Sequence, residues 1–166
     1  MSGLFKVFEL VYTNNLPLDN QTLKSLHWDN RLLNLALHVS QWSKDPRTGV
    51  GCVIANGKRD IDLGYNGFPE GIADLKDRLN DYDLKHKLII HAEQNAMDNS
   101  KRDLVGRSLY VTYPPCINCT MSIISRKLGR VVTIQSSPEK MEKHHVNIEL
   151  SKELFTEANI RFDIFK

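Results

Sequence analysis

Two short motifs constrain this chain more than anything else in it: His91-Ala92-Glu93 and Pro115-Cys116-Ile117-Asn118-Cys119. Together they offer one imidazole, two thiols and a carboxylate that is not needed as a ligand. Three N/S ligands suit tetrahedral zinc and leave its fourth position open to water. Zinc lowers the pKa of such a water to about 7. A spare Glu93 is then free to move protons. Helix N-termini suit this task, because they favour negative charge and lower a cysteine's pKa. Cys116 and Cys119 are accordingly read in the first turn of one helix, with His91 beginning another. Two residues apart, His91 and Glu93 would point roughly 200° apart inside a regular helix of 3.6 residues per turn. The spacing therefore predicts that His91 sits at the cap, with non-helical geometry.

Other uses of these residues explain less. A thioredoxin-like dithiol would account for the C-x-x-C pair and leave His91-x-Glu93 idle. A closed structural zinc site would need His86 or Cys52 as its fourth ligand. Cys52 lies in the apolar run Val50-Gly51-Cys52-Val53-Ile54 and reads as core. His144-His145 stands among charges of mixed sign, Glu139, Lys140, Glu142 and Lys143, and reads as solvated surface. The chain has 3 cysteines in all, too few for a fully paired disulfide framework. Met1-Ser2-Gly3-Leu4-Phe5-Lys6 has no basic n-region and no continuous apolar run, so no secretory leader is expected. No stretch approaches the ~20 apolar residues of a membrane span. A reducing, cytoplasmic setting with available thiols follows. The net charge of +2 gives no footprint for nucleic acid.

At 166 residues the chain reads as one domain over residues 25–166, with residues 1–24 as an N-terminal extension. Leu4, Val7, Phe8 and Val11 have helical spacing and suggest a docking helix. Asn14, Asn15, Pro17, Asp19 and Asn20 read as a loop. A helix is expected from Ser25, its N-cap, with Trp28, Leu32, Leu35, Val39 and Trp42 on its apolar stripe. It ends before Asp45-Pro46. Val50 to Ile54 is a buried strand, Asn56-Gly57 a hairpin turn, and Ile61 and Leu63 the returning strand. Residues 68–87 are polar and aperiodic and read as a long loop covering a site. Ser108 to Tyr113 alternates as a strand; Ile117, Met121, Ile124 and Leu128 form a helical stripe ending at Gly129. Val131 to Ile134 is a β-branched strand. Leu150, Leu154 and Ala158 mark a further helix; Ile160, Phe162 and Ile164 mark a last strand. Helices and strands alternating after an opening hairpin indicate an α/β fold, a three-layer α/β/α sandwich. The expected sheet is five-stranded and mixed.

The wider sequence is similar to one family. The stretches that carry the resemblance are Ser43-Lys44-Asp45-Pro46-Arg47-Thr48-Gly49-Val50-Gly51, Gly64-Tyr65-Asn66-Gly67-Phe68-Pro69-Glu70-Gly71, His91-Ala92-Glu93-Gln94-Asn95-Ala96, and Tyr110-Val111-Thr112 before Pro115 to Cys119. They resemble the deoxycytidylate (dCMP) deaminase family of the zinc-dependent cytidine deaminase superfamily, whose signature is H-x-E followed by P-C-x-x-C. The resemblance spans roughly residues 26–165. It implies a cytidine-deaminase-like sandwich, zinc held by His91, Cys116 and Cys119, and Glu93 as the proton shuttle. It implies that Asn66 contacts the substrate sugar. It also implies that Lys44, Asp45, Gly64 and Gly67 lie near nucleotide-binding surface. A homo-oligomer, often a hexamer, and control by the effectors dCTP and dTTP are family properties. The chain departs from the pattern at Thr112-Tyr113-Pro114-Pro115-Cys116, where Leu-x-Pro-Cys is usual, and at Thr120, where alanine is usual.

The expected reaction is hydrolytic deamination of a cytosine nucleotide, dCMP to dUMP with release of ammonia. A 5′-monophosphate needs cationic partners; Arg102 and Lys101, which follow the His91 helix, are candidates, as are Lys44 and Arg47. Alternatives are a deaminase of free (deoxy)cytidine, dCTP or 5-modified dCMP, a polynucleotide deaminase, and a nucleotide sensor without catalysis. Glu93 argues against the sensor, which needs no proton shuttle.

Overall fold

The structure, a computed structural model, describes residues 6–14, 20–136 and 138–166, with the side chains of 20–25 and 138–147 outside that description. Leu4, the loop residues Asn15, Pro17 and Asp19, the side chains of Asn20 and Ser25, and the side chains from Glu139 to His145 therefore lie outside the described residues.

Strand β2 (Gly51–Asn56) is the spine of the sheet, and its apolar run is buried on both faces. Cys52 and Ile54 point into one core and Val53 and Ala55 into the other, as the period of 2 requires. Asn56-Gly57 turns the chain back into β3 (Arg59–Tyr65), with Gly57 at φ +63°, a left-handed conformation that suits glycine. On the other side β2 pairs antiparallel with β4 (Ser108–Val111). Strands β5 (Arg130–Ile134) and β6 (Arg161–Phe165) follow in parallel, each reached through a helix. Those helices are α5 (Ile117–Ser125) and α6 (Pro138–Glu157).

The sheet has six strands rather than five, in the order β1-β6-β5-β4-β2-β3. The extra strand is β1 (Leu10–Thr13), which lies within residues 1–24 and pairs antiparallel with β6. This corrects the expected docking helix. Without β1, the outer edge of β6 would leave a row of backbone donors and acceptors unpaired. Residues preceding β1 are extended for a second reason. Asn34 accepts from the Lys6 amide and donates to the Lys6 carbonyl (2.8 and 2.7 Å). Asn30 does the same for Phe8, donating at 3.1 Å. Two asparagines one turn apart on a helix thus act as a strand partner would. Phe8 is buried and Val7 is 78% exposed, which is strand alternation rather than a helical stripe.

Helix α1 (Asn20–Ser40) starts before Ser25, so Ser25 is not its N-cap. Its buried face is Asp29, Leu32, Leu33, Ala36 and Val39, while Trp42 lies past its end and is exposed. It covers one face of the sheet, closing the core of Leu32, Leu33, Ala36, Val53, Tyr110 and Val132. Helix α4 (Ala92–Asn99), α5 and α6 cover the other. In helix α5 the expected stripe holds in part: Ile124 packs on the core and Leu128, just past the helix, is buried in it, but Cys119, Thr120 and Ile123 also face inward and Met121 is exposed. Thr120 is tolerated there because its hydroxyl donates to Ser151 on α6 at 2.9 Å. The span 68–87 is not a plain loop. It holds α2 (Lys76–Asn80) and α3 (Tyr82–Leu88), the latter capped by the Asp81 carboxylate accepting from the Leu84 amide at 2.9 Å.

Candidate active site

Glycine decides how close α4 comes to the sheet. A Cβ on Gly64 would sit 2.3 Å from the Ala96 nitrogen and 2.5 Å from the Ala92 oxygen. Helix α4 therefore rests its backbone on β3, with Ala92 and Ala96 fully buried. Asn95 anchors it by donating to the Tyr65 carbonyl at 2.8 Å. Gly67 and Ile90 exchange backbone hydrogen bonds (3.1 and 2.9 Å), fixing the residue just before His91. His91 is the N-cap of α4 at φ −70°, ψ 153°, the extended geometry that the His91–Glu93 spacing requires. Cys116 is the N-cap of α5 in similar geometry, φ −71°, ψ 169°, and Cys119 lies in its first turn.

The two helix ends converge. His91 Nδ1 lies 3.5 Å from Cys116 Sγ and 3.4 Å from Cys119 Sγ. One ligand atom from each of the three falls within 4.8 Å of the others, a group able to hold a metal ion. Among the described residues neither His86 nor Cys52 belongs to that group. Two sulfurs and an imidazole nitrogen are a zinc donor set. The Cys116 thiol is drawn down to about 4 by its hydrogen bond with Cys119, aided by His91. The Cys119 thiol is pushed up by Cys116 beside it and by burial. Thiolate forms first at Cys116, and a metal cation binding both sulfurs would favour the deprotonated form of each.

Glu93 is 4% exposed, and burial raises its carboxyl. Cys52 lies behind it as a neutral thiol, held up by burial and by the Glu93 charge. In front of the group opens a cavity of about 470 Å³. Its walls come from the 45–50 turn, Asn66, α3 and the Tyr113-Pro114 approach to Cys116.

Of the residues expected at the site, Asn66, Asp45 and Arg47 line this cavity with His91, Glu93 and Cys116. Arg102 does not; its guanidinium pairs with Asp62 at 2.9 Å. Lys101 does not line it, and Lys44 pairs with Asp74 at 2.6 Å outside it. Gly64 packs beneath α4 and Gly67 tethers Ile90, so neither offers a wall to a ligand. The sequence reading missed Tyr82 and Lys85 and considered His86 only as a zinc ligand; His86 lies on the cavity wall. Tyr82 and His86 stack at 4.1 Å, and the Arg47 guanidinium lies 5.0 Å over the Tyr82 ring. The usable signal was Asp81, an N-cap residue opening a helix inside an apparent loop.

Such a centre, a His/Cys/Cys group with a buried glutamate at paired helix ends, defines the zinc-dependent nucleobase deaminases on a cytidine-deaminase-like sandwich. The comparisons narrow the class. The chain belongs to the cytidine and deoxycytidylate deaminase family, whose zinc-binding region matches residues 26–135. A deaminase encoded in the luxG 3′ region of Aliivibrio fischeri is 35% identical over 133 residues, covering 80% of this chain and 90% of its own. Human deoxycytidylate deaminase is 31% identical over 149 residues, covering 84% of this chain and 80% of its own. The dCMP deaminase of cyanophage S-TIM5, crystallised with dCMP and dUMP, has the same fold. It matches with a TM-score of 0.62 at 20% identity, over 89% of this chain and 99% of that one.

Proposed function

We propose that the chain hydrolyses dCMP to dUMP and ammonia, with His91, Cys116 and Cys119 holding zinc and Glu93 carrying protons. The observation that carries this reading is a buried carboxylate beside a three-ligand group that opens on a nucleotide-sized cavity. The likeness to human deoxycytidylate deaminase supports the substrate. Zinc, when bound, supplies a Lewis acid that makes hydroxide available near neutral pH. Glu93 accepts the proton of the attacking water and delivers it to ring N3. As oxygen adds to C4, the C4–N bond weakens; Glu93, free again after protonating N3, takes the proton of the new C4 hydroxyl and passes it to the amine, and ammonia departs as the C4 carbonyl forms. Burial pushes the Glu93 carboxyl up, which favours its taking up a proton from water.

The 5′-phosphate is assigned to Arg47, with His86 beside it, in place of Arg102. Arg47 is held by stacking on Tyr82 and presents a planar fork suited to phosphate oxygens. Asn66 lies at the sugar end, its amide oriented by accepting from the Val50 amide at 2.7 Å and donating to the Thr48 carbonyl at 3.0 Å. We further infer a homo-oligomer, with a hexamer expected, that responds to dCTP and dTTP. A reducing, cytoplasmic setting is proposed because Cys52, Cys116 and Cys119 are all free thiols. No helix among the described residues is long and apolar enough to cross a membrane.

Ammonia release from dCMP, CMP, dCTP, deoxycytidine and a 5-substituted dCMP tests the reading, together with metal analysis. The expected result is one zinc per chain and the highest kcat/KM on dCMP. Preference for deoxycytidine or dCTP would overturn the substrate, and protein without zinc would overturn the centre.

A further inference from the structure

One cavity wall rests on a buried ion pair. Lys85 Nζ donates to both oxygens of Asp45, at 2.9 and 2.7 Å, and the two side chains are only 4% and 5% exposed. Lys85 is the one buried residue of α3. Asp45 is a hub. Its Oδ1 also accepts from the Arg47 and Thr48 amides at 2.8 and 3.1 Å, and its Oδ2 faces the Asn66 amide at 3.5 Å. Asn66 continues the network by holding the Val50 amide and the Thr48 carbonyl, while Ser43 donates to the Asn66 carbonyl at 2.8 Å. Asp45, Arg47, Thr48, Val50, Asn66 and Lys85 all line the cavity. None of the zinc-binding side chains takes part.

We propose that Lys85 is a positioning residue: acting through Asp45, it sets the 45–50 turn and Asn66 in the geometry that receives the sugar and phosphate. The physical reason is that, besides Val50, which packs on the core, the turn is fixed by polar groups gathered at Asp45. A lysine is suited to the task because its compact ammonium satisfies both carboxylate oxygens from one point on a helix. Replacing a buried ion pair whole often costs little stability, although breaking it by removing one partner costs much, and its best-attested use is to select one arrangement. Here the arrangement selected is the substrate-facing wall, so the cost of losing it falls on binding more than on the proton transfers at Glu93. The kinetic part rests on the reading of this cavity as a dCMP site; the structural part does not.

The test has three arms. In the wild-type chain, hydrogen exchange of the Arg47, Thr48 and Val50 amides is expected to keep step with the amides of Lys85 in α3 and of Ile89 at its C-cap; independent, faster exchange at 47–50 would overturn the proposal. Lys85→Met is expected to lower kcat/KM for dCMP by about 100-fold, mainly through KM, with zinc retained. A Lys85→Met/Asp45→Asn protein removes the uncompensated carboxylate, yet the carboxamide oxygen put in its place can still accept from the Arg47 and Thr48 amides. It is expected to regain the stability lost in Lys85→Met, while its raised KM and the loss of protection at 47–50 persist. Kinetic constants of the double variant within about threefold of wild type would make the pair merely structural and sink the idea. If the wild-type chain releases no ammonia from dCMP, the functional reading fails, and the exchange measurements still decide this one.

Discussion

At the residue scale the proposed function divides the site into groups that do chemistry and groups that hold the ligand. Glu93 belongs to the first. Glu93→Gln keeps shape and volume and removes the proton acceptor, so turnover is expected to fall by at least ~10²–10⁴-fold, because several transfers use this group. Zinc content and the unfolding midpoint should stay those of wild type; metal analysis and circular dichroism check this, and activity within about tenfold would refute the role. Arg47 belongs to the second. Arg47→Ala is expected to raise KM for dCMP while leaving deoxycytidine nearly unaffected, whereas Arg102→Ala should change neither, since Arg102 is already paired with Asp62. Equal effects of Arg47→Ala on both substrates would return the phosphate to another partner.

At the scale of elements, the site depends on how closely two helices approach the hairpin strands. Gly51 lets α1 lie on β2, where a Cβ would come 2.0 Å from the Ala36 oxygen. Gly64 does the same for α4 on β3, and α4 carries His91 and Glu93. Gly64→Ala must push α4 outward, with overpacking of about 1–3 kcal/mol. Both denaturant stability and kcat are expected to fall. A variant that loses stability and keeps full activity would show that α4 can shift without moving its ligands. Helix α3 shows the converse dependence. Its sequence is polar and its only buried residue is Lys85, so no apolar period reveals it. It becomes visible through what it caps and what it pairs with.

For the whole molecule, the sheet is locked to α1 by a second buried ionic network, remote in sequence from the first. Arg130 grips both Asp29 oxygens at 2.9 Å and pairs with Asp163 at 2.7 Å, Arg161 donates to Asp163 at 2.8 Å, and Tyr110 donates to Asp29 at 2.8 Å. Acid should attack the first network through Asp45, whose pKa gives the sign. Burial pushes the Asp45 carboxyl up, but Lys85 and the Arg47 and Thr48 amides outweigh it and hold it below the ordinary 3.8. The stabilisation from that pair is therefore present in full above the unfolded value and is lost as pH falls through the lower folded value. Urea midpoints of wild type are expected to drop below about pH 4, and Asp45→Asn should flatten that part of the profile. A wild-type midpoint unchanged through this range would refute the assignment. Assembly is tested at this scale too. Light scattering should show an oligomer and dCTP or dTTP should shift the dCMP saturation curve, since an effector must favour one of two conformations to act. A monomer with hyperbolic kinetics indifferent to both would end that proposal.

What the sequence determined by itself was whatever depends on short spacing. The H-x-E and C-x-x-C motifs require particular residue types at adjacent positions, and the hydrophobic periods of β2, β4, β5 and β6 repeat over a few residues, so the sandwich and the metal-binding group were legible. The His91 cap geometry followed from 3.6 residues per turn. Tertiary structure alone decided the pairings between residues far apart in the chain. Asn30 and Asn34 turn residues 6–8 into a strand-like segment against a helical spacing. Lys85 reaches Asp45 from a segment that looks like loop. Arg102, well placed in sequence, is taken by Asp62 instead. Each outcome is a competition among polar groups for partners once water is excluded, and the winner depends on which groups the folded backbone brings within about 3 Å.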